Sequence, residues 1–203
     1  IEHGIPPVFD ERSEVLVLGT MPSPKSREAA FFYGHPQNRF WRVLAALFDE
    51  PVPEDNAERA DLLLRHHIAL WDVLESCDIR GASDASIANA RPNDLSRVLE
   101  KASVRRVFCT GAAAGRYYAK LCAVASGLPA SVLPSPSPAN AAWSLPRLVE
   151  AYRPVADAVT PFTPPVLEVP QVVALEQAIA EAGTPLDALM RRAGRFLAFE
   201  ARK

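Results

Sequence analysis

Residues 14–41 read EVLVLGTMPSPKSREAAFFYGHPQNRFW, and this stretch decides the predicted fold. The apolar run 15–18 stops at Gly19, and a loop rich in Pro, Ser and small residues follows. The segment HPQNRFW then opens an amphipathic helix. This order places backbone N–H groups and the Asn38 amide at the carboxyl end of a strand, where open α/β sheets bind ligands. Aromatic residues 31–33 in the loop are suited to stacking on a flat ring.

The same alternation of strand and helix continues along the chain. Short apolar runs predict four buried parallel strands, at 14–19, 68–73, 104–109 and 130–134. Periodic patterns and capping signals predict helices after Asn38, over 56–66, from about Pro92 to 101, after Gly111 through 121, and over 145–158. Strands that alternate with helices indicate a three-layer α/β/α fold.

The composition changes near Thr160, so we divide the chain into a domain at 1–159 and an extension at 160–203. The segment TPFTPP (160–165) is typical of a stiff linker. Two helices are predicted after it, over 168–182 and 185–199, with Gly183 as the C-cap of the first. We expect a helical hairpin packed on the domain. The alternative is a contact with DNA or a partner through the arginines at 191, 192 and 195.

Composition is typical of a soluble globular protein. The 203 residues are 49% hydrophobic and 23% charged, with no apolar run long enough for a membrane span and no visible signal peptide. Cys77, Cys109 and Cys122 show no C-x-x-C spacing, which favours buried thiols over a disulfide framework or an iron–sulfur cluster. A net charge of −2 does not by itself indicate a nucleic-acid binder. We expect a cytoplasmic monomer with no membrane contact.

Two motifs carry a family resemblance that covers roughly residues 5–158. The segment 19–41 resembles the first active-site motif of the uracil-DNA glycosylase superfamily, and most of all its hypoxanthine-DNA (deoxyinosine) glycosylase branch. Residues 135–140, SPSPAN, are similar to the second-motif loop of that superfamily. The resemblance implies a four-stranded parallel sheet flanked by helices. It also implies DNA with a flipped, deaminated nucleotide as partner, a nucleoid-associated location, and neither cofactor nor metal.

The resemblance assigns catalysis to Asn38. Many superfamily members position water with a carboxylate or amide two residues after the first-motif glycine, where this chain has Met21. The hypoxanthine branch lacks that acid too, and its catalytic Asn matches Asn38. An amide can accept a hydrogen bond from water and stabilise a cationic transition state by its dipole, which predicts a slow enzyme. From the residues alone, Asn38 is equally well a helix N-cap.

Other motif positions are assigned to the base. Gly19, Thr20 and Met21 would bind the base, with the backbone N–H groups of Thr20 and Met21 as donors to a carbonyl oxygen. Tyr33 would stack on the base, and Ser135 stands where many members place a histidine that stabilises the leaving base. Asp72 follows the second strand, where superfamily members place a base-reading amide. An ionised Asp72 would accept the lactam N–H of hypoxanthine or uracil. Its alternative roles are an N-cap or a partner of Arg80. For Phe31 and Phe32 we favour a place in the core.

Further positions are assigned to the duplex. Lys25, Arg39, Ser137, Ala139 and Asn140 are the predicted DNA contacts. Ala139 is too small to plug the space left by a flipped base, so Asn140 or another loop would fill it. For any single basic residue, a solvated helix face is the alternative.

These observations predict a monofunctional DNA glycosylase that hydrolyses the N-glycosidic bond of deaminated bases in base excision repair, hypoxanthine first and uracil second. One alternative is a non-catalytic DNA-damage binding protein of the same fold, which Met21 and Ser135 favour. A second is an unrelated nucleotide- or phosphate-binding α/β enzyme. It ranks lower because the chain has neither common glycine-rich phosphate motif.

Overall fold

A computed structural model describes residues 1–81, 83–161 and 169–181, together with Gly183, Ala188, Met190 and Arg191. The chain forms two compact units. The first comprises Ile1–Phe48 and Val52–Pro161, and the second comprises Asp49–Pro51 and Phe162–Lys203. All of the site residues predicted from the sequence belong to the first unit.

A four-stranded parallel sheet forms the centre of the first unit, with strand order β2-β1-β5-β6. Its strands are β1 (Val15–Gly19), β2 (Ile68–Asp72), β5 (Arg106–Thr110) and β6 (Ala130–Leu133). All four were predicted, with bounds that differ by two residues at most. Every residue of β1 and β2 is buried, which explains their unbroken apolar runs. Gly19 pairs with Asp72, so the two strands end side by side.

Helices flank this sheet. They are α1 (Pro24–Glu28), α2 (Phe40–Leu47), α3 (Asn56–Arg65), α4 (Ser96–Leu99), α5 (Ala112–Leu121), α6 (Ala123–Ser126) and α7 (Leu145–Asp157). The apolar face of α2 is buried, as its spacing predicts, and α2 packs against α7. The three-layer α/β architecture predicted from the sequence is confirmed.

An antiparallel pair of strands was not predicted. It consists of β3 (Leu74–Asp78) and β4 (Ala88–Pro92), joined by a loop that contains the 3₁₀ turn Asp84–Ser86. The helix predicted from Pro92 was therefore placed too early, because Pro92 ends β4 and the helix begins at Ser96. Proline is tolerated at the edge of so small a sheet. The Asp94 carboxylate accepts a hydrogen bond from the Ser96 N–H at 3.1 Å, just before this helix.

The C-terminal extension contains α8 (Val169–Glu181), which confirms the first predicted tail helix. Gly183 has φ 100°, the left-handed geometry expected of a residue beyond a helix end. The second predicted helix and its arginines 192 and 195 lie outside the described residues, apart from Ala188, Met190 and Arg191. Within the described part of the chain, every helix is too short or too polar to cross a bilayer.

Candidate active site at the carboxyl ends of the strands

A cavity of about 140 Å³ lies at the carboxyl ends of β1, β2 and β5. It is small beside the roughly 300–1,000 Å³ of sites for drug-sized ligands, which suits one flat base better than a whole nucleotide. Eight of the residues predicted from the sequence line it: Gly19, Thr20, Met21, Tyr33, Asn38, Asp72, Ser135 and Ser137. The fold thus brings both sequence motifs to one place. Lys25, Arg39, Ala139 and Asn140 are not among the lining residues.

Asn38 lines the cavity and lies two residues before the first residue of α2. Its Oδ1 accepts a hydrogen bond from the Phe40 N–H at 2.9 Å, and its own N–H donates to the His35 carbonyl at 2.8 Å. The N-cap of α2 is Arg39, so the capping role that the sequence suggested for Asn38 is wrong by one residue, and Asn38 instead closes a side-chain turn just before the helix. An amide oxygen has two lone pairs, so Oδ1 retains one acceptor site after this hydrogen bond. The turn holds the amide in one orientation beside the cavity.

Arg39 joins the two motifs. Its guanidinium donates to the carbonyls of Pro136 at 3.2 Å, Ser137 at 2.5 Å and Asn140 at 3.1 Å, and to that of Trp143. Its backbone N–H donates to the Pro136 carbonyl as well, at 3.1 Å. The Arg39 guanidinium therefore holds the second-motif loop against the start of α2. A phosphate contact by Arg39 stays a prediction.

Tyr33 forms a rigid wall of the cavity. Its ring stacks on Phe40 with the centroids 4.0 Å apart, and its hydroxyl shares a 2.8 Å hydrogen bond with Thr110 Oγ1. Burial raises the pKa of this phenol well above its ordinary value, so the hydroxyl stays protonated. Phe32 is buried in the core and Phe31 packs against it, as expected. Stacking of a base on Tyr33 stays a prediction.

The second-motif loop is held by short polar contacts. Ser135 Oγ accepts from the Ser137 N–H at 3.3 Å, and the Asn140 amide donates to the Ser135 carbonyl at 2.9 Å. This is the proline-stiffened loop with a serine turn that its composition indicates. Ala139 is exposed and Lys25 forms an exposed ion pair with Glu28, so their predicted DNA contacts depend on how a duplex docks.

Comparison with known proteins identifies the family and the fold. A sequence model described as the Uracil DNA glycosylase superfamily matches residues 6–157. The chain belongs to the uracil DNA glycosylase superfamily. It is thus a DNA glycosylase, an enzyme that hydrolyses N-glycosyl bonds in DNA.

Relatives of this superfamily resemble the chain over most of their length. Two proteins named hypoxanthine DNA glycosylase, from Methanosarcina acetivorans and Methanosarcina barkeri, are 36% and 35% identical to it. The matches span 71% and 68% of this chain, and 91% and 88% of those proteins. A solution NMR structure from M. acetivorans, described provisionally as a uracil DNA glycosylase, superposes with a TM-score of 0.65 at 31% identity. That match covers 76% of this chain and 98% of the other.

Asp72 has neither of the two alternative roles that the sequence suggested for it, a helix N-cap or a partner of Arg80. The residue is 4% exposed, and its Oδ2 has no hydrogen-bond partner among the described residues. It caps no helix, because β3 begins two residues later, and within the described part of the chain its carboxyl forms no ion pair with Arg80 or any other cation. A Cβ on Gly19 would lie 2.2 Å from Asp72 Oδ1. The glycine is therefore required for this carboxyl to fit.

Burial and a neighbouring acid perturb this carboxyl. Desolvation, followed by the charge of Asp84, raises the pKa of Asp72 to about 8. At neutral pH the Asp72 side chain at this wall of the cavity is therefore mainly a neutral carboxylic acid.

Asp84 lines the cavity and was missed by sequence reasoning. It begins the 3₁₀ turn between β3 and β4, and Thr20 Oγ1 donates to its Oδ2 at 3.3 Å. Desolvation raises the pKa of Asp84, against the hydrogen bond from Thr20 and the charge of Arg116. No local pattern marks this residue, because its position depends on the strand pair that precedes and follows it. Thr110, at the end of β5, was missed as well, although it follows an apolar run as Asp72 does.

Groups that bind metals do not converge in this site. Within the described residues, no cluster of three or more His, Cys, Asp or Glu side chains is placed to hold an ion. The three cysteines are buried and unpaired, as expected, and burial raises the pKa of Cys109 to about 12 and that of Cys122 to about 11. They are inert at neutral pH.

Proposed function

We propose that this enzyme removes hypoxanthine from DNA, and uracil more weakly, as a monofunctional glycosylase of base excision repair. The observation that carries the proposal is the position of Asn38, whose amide is fixed at the cavity where the two superfamily motifs meet. The resemblance of 36% and 35% to proteins named hypoxanthine DNA glycosylase supports hypoxanthine as the preferred base.

The proposed reaction begins with a nucleotide flipped out of the duplex into the cavity. Its base lies between Tyr33 and the backbone of Gly19, Thr20 and Met21, whose N–H groups face a carbonyl of the base. Asn38 Oδ1 accepts a hydrogen bond from the attacking water through its second lone pair. Because an amide positions water without removing its proton, we expect slow turnover.

The duplex would be held by the rim of the cavity. Lys25, Ser137, Ala139 and Asn140 are the proposed contacts, and a monomer suffices because one chain supplies the whole cavity. Unpaired cysteines suit a reducing compartment. We therefore place the enzyme in the cytoplasm, with the nucleoid, as part of the same proposal.

Single-turnover release of bases from oligonucleotides that contain deoxyinosine, deoxyuridine or deoxyxanthosine tests the proposal. Asn38→Ala should lower hypoxanthine release by at least about 100-fold, the lower end of what one positioned group contributes. Asn38→Ser separates catalysis from the turn before α2, since a serine hydroxyl can also accept from the Phe40 N–H but holds no amide in the cavity. We expect its stability to match the wild type and its activity to match Asn38→Ala.

Gln37→Ala is the matched control, because Gln37 is exposed and adjoins Asn38. It should release hypoxanthine at the wild-type rate. Wild-type rates in Asn38→Ser would refute the role of the amide. Retention of the damaged duplex by the wild type, without abasic sites, would instead indicate a binding protein.

A further inference from the structure

Asp72 is a buried acid in contact with the cavity that the reaction just described does not use. Its carboxyl touches the backbone of Gly19, and neither a hydrogen-bond donor nor a cation among the described residues compensates Oδ2. An ionised carboxylate in that position would lose its hydration with nothing in exchange. The neutral acid avoids this cost, so Asp72 carries a proton in the folded enzyme at neutral pH.

The groups that face Asp72 keep this proton in place. Asp84 presents a second carboxylate from the 3₁₀ turn, and two nearby carboxylates disfavour double ionisation. Tyr33 presents a neutral phenol from the loop before α2. On the far side, the Asn93 amide donates to the Asp72 backbone carbonyl at 2.9 Å and lies 3.4 Å from His3 Nε2. Burial lowers the pKa of His3, so this neighbour is neutral as well.

A protonated carboxyl at the wall of a base pocket is a donor. A purine such as hypoxanthine has acceptors at its carbonyl oxygen and ring nitrogens, and it leaves more easily when one of them is protonated. Within this superfamily site, Met21 and Ser135 offer no acid of their own. Asp72 lines the same cavity and carries a proton.

We propose that Asp72 is the general acid of base release and protonates the departing purine, an inference that rests on the proposed function. The C1′–N9 bond breaks and its electron pair goes to the base, while the Asp72 O–H proton moves to an acceptor atom of that base. Water held by Asn38 adds to C1′ and loses one proton to solvent. Asp72 regains a proton from solvent once the neutral base has left, so the sum is hydrolysis.

The dependence of hypoxanthine release on pH tests this assignment. Single-turnover release from a deoxyinosine duplex should be flat from pH 6 to about 8 in the wild type. It should then fall about tenfold per pH unit as Asp72 ionises. Asp72→Asn still donates a hydrogen bond but has no acidic proton to transfer. Its release at pH 7 should be at least about 100-fold slower, without the alkaline fall at that pH.

Asp84→Asn tests how far the charge of Asp84 raises the pKa of Asp72. Removal of the Asp84 charge should lower the pKa of Asp72 and move the alkaline fall to lower pH, with less effect on the rate at pH 6. Asp157→Asn, at an exposed position near the end of α7, is the matched control and should leave the profile unchanged. Binding of a duplex with an uncleavable 2′-fluoro deoxyinosine should be similar for the wild type and Asp72→Asn, which shows that the pocket is intact.

Two results would overturn the proposal. One is release by Asp72→Asn within threefold of the wild type at pH 7. The other is an alkaline fall that Asp72→Asn and the wild type share. If the wild type released no hypoxanthine at all, the proposed function would fail together with this inference. A normal wild-type rate with an unaffected Asp72→Asn would overturn this inference alone.

Discussion

The buried acid Asp72 makes the stability of the folded enzyme depend on pH. Its pKa is raised from an ordinary 3.8 to about 8, so between these values the folded state holds a proton that the unfolded chain has released. Stability falls as pH rises wherever the folded state binds more protons than the unfolded state. The free energy of unfolding that Asp72 contributes therefore decreases between about pH 4 and pH 8. Asp72→Asn removes this contribution, since asparagine does not titrate in either state.

The size of the effect follows from the proton linkage. Each pH unit inside this window changes the free energy of unfolding by about 1.4 kcal/mol. From pH 5 to pH 7, wild type should lose about 3 kcal/mol relative to Asp72→Asn. The variant also buries an amide N–H without a partner, which costs about 1–3 kcal/mol at both pH values. Because the window opens at pH 3.8, the wild type has already lost about 1–2 kcal/mol at pH 5, so the two proteins should have similar stabilities there. At pH 7 Asp72→Asn should be the more stable protein by about 1–3 kcal/mol.

Urea denaturation at pH 5 and pH 7, monitored by tryptophan fluorescence, measures the difference. At each pH the free energy of unfolding of Asp72→Asn is compared with that of wild type. The change in this difference from pH 5 to pH 7 is the informative quantity, because the cost of the buried amide is the same at both pH values and cancels. Asp157→Asn provides the control, with the same substitution at an exposed position, and its difference from wild type should be nearly equal at both pH values. A difference for Asp72→Asn that does not change with pH would refute the reasoning, since Asp72 would then titrate as in the unfolded chain.

Two further substitutions test how the site is held together. Arg39→Lys should lower the free energy of unfolding by about 2 kcal/mol and speed amide exchange in residues 135–143, because a lysine cannot reproduce the fork that donates to several carbonyls. Arg42→Lys, on the exposed side of α2, should change neither quantity. Gly19→Ala should cost about 2–4 kcal/mol, because the new Cβ would lie 2.2 Å from Asp72 Oδ1. The cost should be smaller when it is measured in an Asp72→Ser background, and additive effects in that double-mutant cycle would argue against the close contact.

The main elements of the fold can be predicted from the sequence because their signals are local. A strand buried on both faces must be apolar throughout, as 15–18 is, and a helix packed on one face must show periodic apolar residues, as α2 does. The β3–β4 pair has no such signal. Residues 88–92 are mostly exposed, and this strand exists only because a partner ten or more residues away supplies its hydrogen bonds.

The sequence by itself determined which segments meet at the site. Parallel strands that end in a loop bring their carboxyl ends to one edge, so Gly19, Asn38 and Ser135 had to converge once the strands were identified. Its two motifs also determined the family.

Only the tertiary structure decided what individual polar groups do there. Arg39 appears in the sequence as part of a basic rim, yet its guanidinium binds carbonyls about a hundred residues away. Asp72 appears as a carboxylate that reads a base, yet it is a neutral acid, and Asp84 is not recognisable at all. Protonation depends on desolvation and on charges brought near by folding, and neither quantity is a property of a local run of residues.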